Sequence, residues 1–486
     1  MSIQPGFKQL GEGSYVHPGG VVEGTDYISV GRQVVLPAPH WINVQPGVGI
    51  DEASPPVLSI GDGCRIGPGL TIDASNSVKL ESKVMIGKNV YITDKIPYEV
   101  GDDPLQMGYK ERAAGELIIG EGTLVDSGAV VEGNLRIGRG CIIRPNSVVL
   151  QDVPDYCEVL GSPARVIKVF MPHLNNWAFA ADEEEAKKLL EQRSNHPLLS
   201  ICIPTYNRAA NLDQCLLSIF SQIGETPFIQ VDVSDNASTD GTPDVVQRYL
   251  EKYSNLRYSR NDTNLGADRN VLKVLDGARG SFIKLQGDDD YFVPGTISPL
   301  LSAIQLHSDC GVIHINVLNG DGRIIGGEGA ESYLGQISYA ATFMTAMILR
   351  REDWHRLEDK TRFIDSSLNQ FYLQFAILCD INPKYAIINS SMFTYAGNPP
   401  NDYNMGEVFV RGYLDILGHF EGRGLSEEAI KRDKERLMRS FLMPAYHWNR
   451  RHFAPENTAG FEEVFTEYYK DEPYYQELLE GIRSAE

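Results

Sequence analysis

Three consecutive carboxylates, Asp288, Asp289 and Asp290, form the stretch of this chain whose chemistry is easiest to recognise. They follow a short apolar segment at residues 282–285, and residues 294–295, Pro-Gly, then open a predicted helix. Hard divalent cations such as Mg²⁺ and Mn²⁺ prefer oxygen ligands, and Mg²⁺ usually binds one or two carboxylates together with phosphate oxygens. The triplet therefore predicts a divalent metal site that faces a phosphorylated ligand. The alternative is an acidic surface turn, because acidic residues are common in loops.

The segment from residue 198 to residue 300 alternates apolar runs with stretches of helical spacing, which indicates repeated βα units. Strands are predicted at 198–204, 228–233, 256–259 and 282–285, and helices at 211–223, 242–253 and 267–275. This alternation is typical of an α/β, Rossmann-like, doubly wound parallel sheet, in which ligands bind beyond the carboxyl ends of the strands. The residues at those ends are Pro204, Thr205, Tyr206, Asn207 and Arg208, then Asp235, then Gly266 and Arg269, and finally the three aspartates.

The order and spacing of these four blocks over residues 198–300 resemble family 2 of the GT-A glycosyltransferases. The resemblance implies a nucleotide-sugar donor, with Thr205 and Tyr206 near the base and Asp235 accepting the imide N–H of that base. It also implies that Arg269 contacts the phosphates or the ribose. A bound Mn²⁺ or Mg²⁺ would bridge the two phosphates and act as a Lewis acid.

The metal ligands implied by this resemblance are Asp288, Asp289 and Asp290, and the sequence leaves open which of them bind the ion directly. Asp288 and Asp290 have the spacing of the family's Asp-x-Asp motif, whereas alignment on Pro294 favours Asp289 with Asp290. Asp288 and Asp289 also count among the expected donor-binding residues, with the first loop and Gly266.

A general base is expected downstream, because family 2 enzymes usually invert the anomeric centre and must deprotonate the acceptor hydroxyl. Asp365, just before a helix predicted at 366–379, is the candidate catalytic residue. Its alternative role is to cap that helix. The pair Glu352 and Asp353 is a second candidate, although it follows an apolar strand and suits the N-terminus of a helix.

The first third of the chain repeats an aliphatic residue every six positions, which neither a helix nor an ordinary strand explains. The positions are Ile60, Ile66, Ile72, Val78, Val84, Val90 and Ile96, and then Ile119, Val125, Val131, Ile137, Ile143 and Val149. A parallel β-helix explains this period, because each hexad makes one short side of a coil and neighbouring coils bury one another's faces.

Residues 28–169 resemble the left-handed β-helix acyltransferases in their hexads, in a loop inserted at 93–116 and in the closing segment 161–168. The resemblance implies a left-handed parallel β-helix, a homotrimer and acetyl-CoA as a substrate. Where active members carry a catalytic histidine, residues 94–97 read Asp-Lys-Ile-Pro, and a protonated lysine is a poor base. We therefore expect the domain to serve oligomerisation, with acetyl transfer as the alternative.

Composition narrows the classes of function. The net charge of −21 argues against a general nucleic-acid binder, which needs a basic surface. Seven scattered cysteines without a CxxC pair fit a reducing compartment. The first residues do not resemble a signal peptide, and the longest apolar stretch, at 339–349, is too short to span a bilayer. We expect a cytoplasmic protein, and the basic, aromatic stretch at 439–453 leaves open peripheral membrane contact or ordinary helix packing.

These predictions divide the chain into a hexapeptide-repeat β-helix at 1–172, a linker helix at 173–196, a GT-A domain at 197–400 and a C-terminal α-helical region at 401–486. The predicted function is metal-dependent, inverting transfer of a sugar from a UDP-sugar to a saccharide or lipid-linked acceptor, in bacterial surface polysaccharide synthesis. Two alternatives stay open. One is a bifunctional enzyme that also uses acetyl-CoA, and the other is a non-catalytic ligand-binding scaffold.

Overall fold

The chain forms two units, Met1–Ser194 and Asn195–Glu486. The computed structural model describes residues 6–97, 103, 105, 112–396, 403–452 and 455–484. Half of the inserted loop predicted at 93–116, namely residues 98–102, 104 and 106–111, lies outside the described residues. The predicted boundary between residues 400 and 401 also lies outside them.

Short strands that follow the six-residue period build the first unit. In chain order they are β1 (Gln9–Leu10), β2 (Tyr15–Val16), β3 (Val21–Glu23), β4 (Ile28–Val30), β5 (Val35–Leu36), β6 (His40–Val44), β7 (Leu58–Ile60), β8 (Arg65–Ile66), β9 (Leu70–Ala74), β10 (Ser77–Leu80), β11 (Met85–Ile86), β12 (Tyr91–Thr93), β13 (Glu116–Ile119), β14 (Leu124–Val125), β15 (Val130–Glu132), β16 (Leu135–Ile137), β17 (Ile142–Ile143), β18 (Val148–Val149), β19 (Cys157–Gly161), β20 (Ala164–Met171) and β21 (Asn176–Phe179). Every third strand from β1 to β16 joins one parallel sheet, those from β2 to β17 join a second, and those from β3 to β18 join a third. The predicted β-helix is confirmed by this arrangement.

The six-residue period places aliphatic side chains in one continuous core. Leu117 pairs with Leu135 on the next coil, so one coil takes three hexads. Ile72 and Ile137 are fully buried, and Ile66, at the same phase of the repeat, is partly buried against the same core. Each coil therefore covers the apolar side of its neighbour, as a solenoid requires.

The helix predicted as a linker is α1 (Glu183–Asn195). Leu189 and Leu190 pack against the core of the β-helix, and Arg193 Nη1 donates a hydrogen bond to the Asp155 carbonyl at 2.7 Å. The helix is therefore attached to the first unit by both apolar packing and a hydrogen bond.

The second unit begins with the βα alternation that the sequence predicts. Its first elements are β22 (Leu199–Thr205), α2 (Ala209–Ile223), β23 (Ile229–Asp235), α3 (Thr242–Leu250), β24 (Leu256–Arg260), α4 (Ala267–Asp276) and β25 (Phe282–Leu285). The four strands are parallel and lie in the order β24-β23-β22-β25. β22 is buried except at the partly buried Pro204, and β23 is buried throughout, as strands covered on both faces are. β22 is mostly apolar, whereas β23 alternates apolar residues with Gln230, Asp232 and Ser234.

The later elements of this unit complete a mixed sheet. They are β26 (Asp290–Phe292), α5 (Ile297–Leu306), β27 (Val312–Asn316), β28 (Ile324–Glu328), α6 (Ala330–Ile337), β29 (Met347–Arg350), α7 (Arg351–Arg356), α8 (Asn369–Asp380), β30 (Lys384–Asn389) and β31 (Phe393–Tyr395). The main sheet continues β25-β29-β27-β30-β28, and β29 runs antiparallel to both β25 and β27. The parallel order predicted for residues 198–300 is confirmed by β22 to β25. Beyond these strands the sheet is mixed, because β27 and β30 are parallel whereas β28 and β29 run antiparallel to their neighbours.

The C-terminal region is helical, as predicted. It contains α9 (Tyr413–His419), α10 (Glu427–Leu437), α11 (Met443–His452), α12 (Phe461–Tyr469) and α13 (Tyr475–Arg483), together with π-helical segments at Gly406–Gly412 and Met438–Leu442. Tyr413 stacks on Phe371 of α8 with ring centroids 4.6 Å apart, so the region shares a core with the α/β part. In the described part of the chain, no helix has the length and apolar character needed to cross a membrane.

The basic and aromatic stretch at 439–453 makes several internal contacts. Arg439 is ion-paired with Glu435 and Glu477, and Phe441 stacks on Tyr339 with ring centroids 4.9 Å apart. These contacts favour ordinary helix packing of this stretch over contact with a membrane surface. Peripheral membrane contact stays a prediction.

The six-residue repeat predicts which side chains of β13 face the core, and two neighbouring isoleucines of this strand test it. Ile119 is fully buried, whereas its neighbour Ile118 faces outward and is partly exposed. Ile119→Ala should lower the free energy of unfolding of the first unit by about 2–5 kcal/mol, because it leaves a cavity in the core. Ile118→Ala should cost clearly less. Urea unfolding followed by circular dichroism measures the free energy of unfolding of both variants. Equal losses in the two variants would contradict the assignment of Ile119 to the core and of Ile118 to the outer face.

Candidate active site

The register of the sheet brings three predicted loops to one edge. Thr205, the last residue of β22, pairs with Asp235, the last residue of β23. On the other side of β22, Cys202 pairs with Leu285, which ends β25 just before the acidic triplet. Because parallel strands end at the same edge of a sheet, the loops that follow them meet there.

Asp288 lies buried beneath the first loop. Its Oδ2 accepts a hydrogen bond from the Thr205 hydroxyl at 2.7 Å, and its Oδ1 lies 3.2 Å from Arg208 Nη1. The same guanidinium nitrogen donates to Asp289 Oδ2 at 2.8 Å. Burial raises the pKa of Asp288 to about 6, although Thr205 and Arg208 act to lower it. Arg208 therefore joins the first loop and the acidic triplet into one cluster.

Asp289 and Asp290 flank the space in front of Gly287. A Cβ atom at Gly287 would lie 2.8 Å from Asp290 Oδ2 and 3.1 Å from Asp289 Oδ1, so the two carboxylates converge on that space. The Thr345 hydroxyl donates to Asp290 Oδ2 and accepts the Gly287 N–H at 2.9 Å. Burial raises the pKa of Asp290, and the bond from Thr345 opposes that rise.

Two converging carboxylates fit Mg²⁺ or Mn²⁺ when phosphate oxygens and water complete the coordination. Asp289 and Asp290 form this pair, whereas both oxygens of Asp288 already bind Thr205 or Arg208. Among the described residues, no three His, Cys, Asp or Glu side chains are grouped as a metal site. The donor set therefore suits an ion that needs a bound diphosphate to complete its coordination.

Asp235 is fully buried, and both of its oxygens have partners. Oδ1 accepts the Ser238 N–H at 2.8 Å. Oδ2 accepts the Tyr258 hydroxyl at 2.7 Å and lies 3.3 Å from Arg260 Nε. Burial and the bond to Asp235 together raise the pKa of Tyr258. A carboxylate accepts about four hydrogen bonds, and these contacts supply three of them, so they orient the fully buried Asp235. Its contact with the N–H of a base stays a prediction.

Sequence reasoning missed Tyr258 and Arg260, although a signal for them exists. Both lie in β24, two residues apart, and Arg260 is the register partner of Asp235. Residues two apart on a strand share a face, so the spacing alone places both side chains on one side of the strand. The pairing of β24 with β23, which the sequence does not reveal, is what brings them to Asp235.

Asn236 holds the third loop in place. Its Nδ2 donates to Asn264 Oδ1 at 2.7 Å and to the Gly266 carbonyl at 3.2 Å. Its Oδ1 accepts the Leu265 N–H at 2.9 Å. Gly266 has a φ of 85°, a conformation that favours glycine, directly before α4. An amide both donates and accepts here, which an aspartate at this position would not do.

The rest of the first loop turns back toward the second. Pro204 lies in β22, Tyr206 is half exposed, and Asn207 adopts a positive φ of 52°. The Asn207 N–H donates to Ser238 Oγ at 2.9 Å, and Asn207 Oδ1 accepts the Thr239 N–H at 2.7 Å. The exposed ring of Tyr206 is thereby held on a loop that is fixed at both ends.

Arg269 and the candidate base Asp365 are brought together. Arg269 Nη1 donates to Asp365 Oδ1 at 3.0 Å, and the Asp365 side chain is 75% exposed. Helix α8 begins only at Asn369, and its N-cap, Leu368, makes no side-chain cap bond. The expectation that Asp365 caps this helix is therefore wrong, because the helix starts later than its apolar pattern suggests. The catalytic role of Asp365 stays a prediction.

Asp268 is a further acid at this place, and sequence reasoning missed it. It accepts the Ser367 N–H at 3.3 Å. Burial raises its pKa to about 6, and nearby Asp365 adds to the rise. The second pair of base candidates is Glu352 and Asp353 in α7. Asp353 is fully buried and accepts a hydrogen bond from Asn382 Nδ2 at 2.7 Å.

Lys284 places a fully buried ammonium behind the acids, where sequence reasoning saw only an apolar strand. Its Nζ donates to Gln286 Oε1 at 2.6 Å, to the Thr345 carbonyl at 2.9 Å and to a neighbouring carbonyl at 3.1 Å. The rings of Phe292 and Phe393 lie 5.1 and 4.8 Å from it. Burial lowers the pKa of Lys284 to about 7, and Asp290 opposes this. Lys284 thus links the end of β25, just before the triplet, to the backbone at Thr345.

In the first unit, Lys95 stands where the acyltransferase resemblance implies a catalytic histidine. Its Nζ lies 2.6 Å from Asp73 Oδ2. The neighbouring Asp94 is fully buried and accepts backbone N–H groups of the turn at 75–77. An ion-paired ammonium has no lone pair with which to take a proton, so this position does not supply a general base.

Comparison with known proteins agrees with this geometry. Residues 200–339 match the family described as glycosyl transferase family 2. The chain carries a family 2 glycosyltransferase domain. Residues 117–151 match the bacterial transferase hexapeptide family, so the β-helix is a hexapeptide-repeat domain.

The relatives of the chain include a glycosyltransferase and an acetyltransferase. An abequosyltransferase from Salmonella typhimurium is 27% identical over 282 residues, covering 51% of this chain and 84% of the relative. A serine acetyltransferase from Staphylococcus aureus is 36% identical over 111 residues, covering 23% of this chain and 49% of that enzyme. The match thus spans about half of the acetyltransferase. A crystal structure of TarS residues 1–349 from S. aureus is similar with 18% identity and a TM-score of 0.44, covering 59% of this chain and 89% of that one.

The hydroxyl of Thr345 tests the architecture of the triplet. Thr345→Val keeps the shape of the side chain but leaves Asp290 and the Gly287 N–H without their partner. We expect a loss of about 1–3 kcal/mol in the free energy of unfolding of the second unit, because buried polar groups then lack hydrogen bonds. Thr345→Ser keeps the hydroxyl and should lose clearly less in urea unfolding. A valine variant as stable as the serine variant would contradict this assignment.

Proposed function

We propose that the second unit transfers a sugar from a nucleoside diphosphate sugar to a saccharide or lipid-linked acceptor. The observation that carries this proposal is the cluster of Arg208, Asp288 and Asp289. The cluster lies at the edge of the sheet where β23 ends in Asp235. A buried hydrogen-bond acceptor at one end and cation-binding carboxylates at the other match the base and the diphosphate of such a donor. The bacterial abequosyltransferase among the relatives supports sugar transfer, and surface polysaccharide synthesis is the setting that we propose for it.

The donor is oriented by the chain's own groups in this proposal. Asp235 accepts an imide N–H, which uracil and thymine both offer, and we propose a UDP-sugar as the donor. Tyr206 lies beside the base as an exposed ring on a fixed loop. Arg208 presents a planar guanidinium suited to phosphate oxygens, and Arg269 at the third loop contacts the phosphates or the ribose.

We further propose Asp289 and Asp290 as ligands of Mn²⁺ or Mg²⁺. An ion bound there would neutralise the charge that develops on the departing diphosphate. Thr345 and Lys284 keep these carboxylates and their backbone in position. Asp288 acts behind them, holding Thr205 and Arg208 at the first loop.

Asp365 is the proposed general base. Its carboxylate is exposed and oriented by Arg269, so an acceptor hydroxyl can reach it. Removal of the hydroxyl proton as the oxygen attacks the anomeric carbon gives a single displacement, which inverts that centre.

Donor turnover tests the proposed reaction. The full chain with Mn²⁺ should hydrolyse at least one member of a panel of UDP-, dTDP- and GDP-sugars, and a chelator should abolish this. Asp289→Asn should lower the rate by about 100-fold or more, since charge stabilisation at the leaving group is a large part of such catalysis. Asp471→Asn, at an exposed acid of the helical region, serves as the matched control. Neither turnover nor nucleotide binding across the panel would refute the proposal and favour the scaffold alternative.

We also propose that the β-helix assembles the chain into a homotrimer. Two of its sheets carry apolar side chains on their outer faces. These are Tyr15, Val35 and Met85 on the second sheet, exposed by 50%, 51% and 37%, and Val21 and Trp41 on the third, exposed by 49% and 40%. Exposed apolar patches of this kind mark interaction surfaces. The first sheet instead presents polar residues such as Ser59 and Lys79.

The mass in solution tests this assembly. Light scattering of the full chain should give about three times the 54.0 kDa of one chain. Trp41→Glu should shift the mass toward the monomer, because the interface would have to bury a charge. Lys79→Glu on the polar sheet should leave the mass unchanged. A monomeric wild-type chain would refute the proposal.

We assign no acetyl transfer to the β-helix. The ion pair between Lys95 and Asp73 occupies the position where a base is needed. The similarity to serine acetyltransferase covers only half of that enzyme.

A further inference from the structure

Residues 287–290 form a tight turn that carries the acidic triplet, and Gln286 stands directly before it. The backbone nitrogen of Asp290 lies 3.4 Å from the carbonyl oxygen of Gly287, which is long for an N–H···O bond. The backbone alone therefore closes this acidic turn only weakly. Asp289 lies at one of its central positions and Asp290 at its end, so the conformation of the turn decides where both carboxylates point.

The side chain of Gln286 closes the acidic turn from the inside. It is fully buried, and its Nε2 donates to the Asp290 carbonyl at 2.8 Å and to the Gly287 carbonyl at 3.2 Å. One amide group thus uses both of its N–H donors to join the first and last residues of the turn. The backbone N–H of Gln286 donates to the Cys202 carbonyl of β22 at 2.9 Å, which anchors this contact to the main sheet.

Lys284 decides which way round the amide of Gln286 lies. Its Nζ donates to Gln286 Oε1 at 2.6 Å, and an ammonium can only donate hydrogen bonds. The opposite orientation would place the amide NH₂ group against the ammonium and the amide oxygen against two carbonyl oxygens. The buried charge therefore enforces the orientation in which Nε2 faces the acidic turn.

The ammonium of Lys284 is itself held by fixed groups. Its other two donors go to the carbonyls of Leu285 and Thr345 at 3.1 and 2.9 Å. The rings of Phe292 and Phe393 lie 5.1 and 4.8 Å from Nζ, which is cation–π distance. A buried charge is costly, and a methionine of similar length would fill the same space without that cost. Packing alone therefore does not account for a lysine at this position.

The geometry of a metal site at Asp289 and Asp290 depends on this turn. Both carboxylates border the space in front of Gly287. Mg²⁺ demands near-ideal ligand geometry. Removal of a group that orients metal ligands typically lowers metal affinity by about 10–100-fold. Gln286 is in a position to have this effect without touching the ion.

We propose that Gln286 is a positioning residue of the metal site and that Lys284 acts on that site through Gln286. Gln286 fixes the acidic turn, and Lys284 fixes the orientation of the Gln286 amide. The inference rests on the proposed binding of Mn²⁺ or Mg²⁺ by Asp289 and Asp290. It adds to that site two buried residues that support the ligands from behind.

Two roles of Lys284 predict opposite effects on a bound cation. As a positive charge behind the acids, Lys284 would repel the ion, and its removal would strengthen metal binding. As the group that orients Gln286, its removal would weaken metal binding. The sign of the change in metal affinity therefore separates the two roles.

Mn²⁺ binding to the full chain saturated with UDP tests the inference, with electron paramagnetic resonance of free Mn²⁺ as the readout. Gln286→Met should weaken Mn²⁺ binding about tenfold or more, because both carbonyls of the turn lose their donor. Gln286→Glu keeps an oxygen for Lys284 but loses the N–H donors, and should weaken binding similarly. Lys284→Met should also weaken binding, and its addition to Gln286→Met should cause little further loss, because the two residues act as one unit.

Ile283→Val is the matched control. Ile283 is fully buried in β25, so this change destabilises the same strand without removing a contact of the acidic turn, and Mn²⁺ affinity should stay at the wild-type value. Urea unfolding shows whether each variant is folded under the conditions of the binding measurement. If Lys284→Met or Gln286→Met does not fold, Gln286→Glu, which keeps the shape of the side chain, decides the test.

The outcomes separate this inference from the proposed function. Unchanged Mn²⁺ affinity in a folded Gln286→Met or Gln286→Glu chain would overturn the inference and leave the proposed function intact. Tighter binding by Lys284→Met, or an equal loss in Ile283→Val, would also overturn it. A wild-type chain that binds UDP but not Mn²⁺ would refute the proposed metal site and this inference together.

Discussion

Carboxylates removed from water at one edge of the sheet impose the main constraint on the second unit. A buried charge is costly unless it is paired or hydrogen-bonded. Asp235, Asp288 and Asp290 are all buried there, so each needs partners that its own strand does not supply. Thr205 serves Asp288, Thr345 serves Asp290, and Asp235 is held from the neighbouring strand. The fold around the site follows from meeting these needs.

The two cationic side chains of this site, Lys284 and Arg208, differ in how deeply they are buried, and this difference separates their roles. Lys284 is fully buried and spends its three donors on fixed protein acceptors. Its charge is therefore part of the scaffold. Arg208 is 42% exposed at its side chain and bridges Asp288 and Asp289 at the surface of the cluster, so it can exchange a carboxylate for a phosphate oxygen. Burial raises the pKa of both Asp288 and Asp290.

The C-terminal helices contribute to the site although none of the predicted residues lies in them. Phe441 lines a cavity of about 590 Å³ beside the triplet and is held there by its stacking on Tyr339. The side of the edge that carries the first two loops is polar, whereas the wall of this cavity combines aromatic rings with Asp289 and Asp290.

The sequence by itself determined the β-helix, the parallel part of the sheet and the loops that carry the site. These features have local causes: a six-residue period cannot be satisfied by another fold, and acids or glycines directly after apolar runs end buried strands. Only the tertiary structure decided which acids converge, because Asp288, Asp289 and Asp290 are adjacent in sequence but turn toward Thr205, Arg208 and Thr345. It also decided the roles of Tyr258 and Lys284, which contact Asp235 and Thr345 on other strands or loops of the chain. Contacts of that kind depend on strand order and packing, which no local pattern encodes.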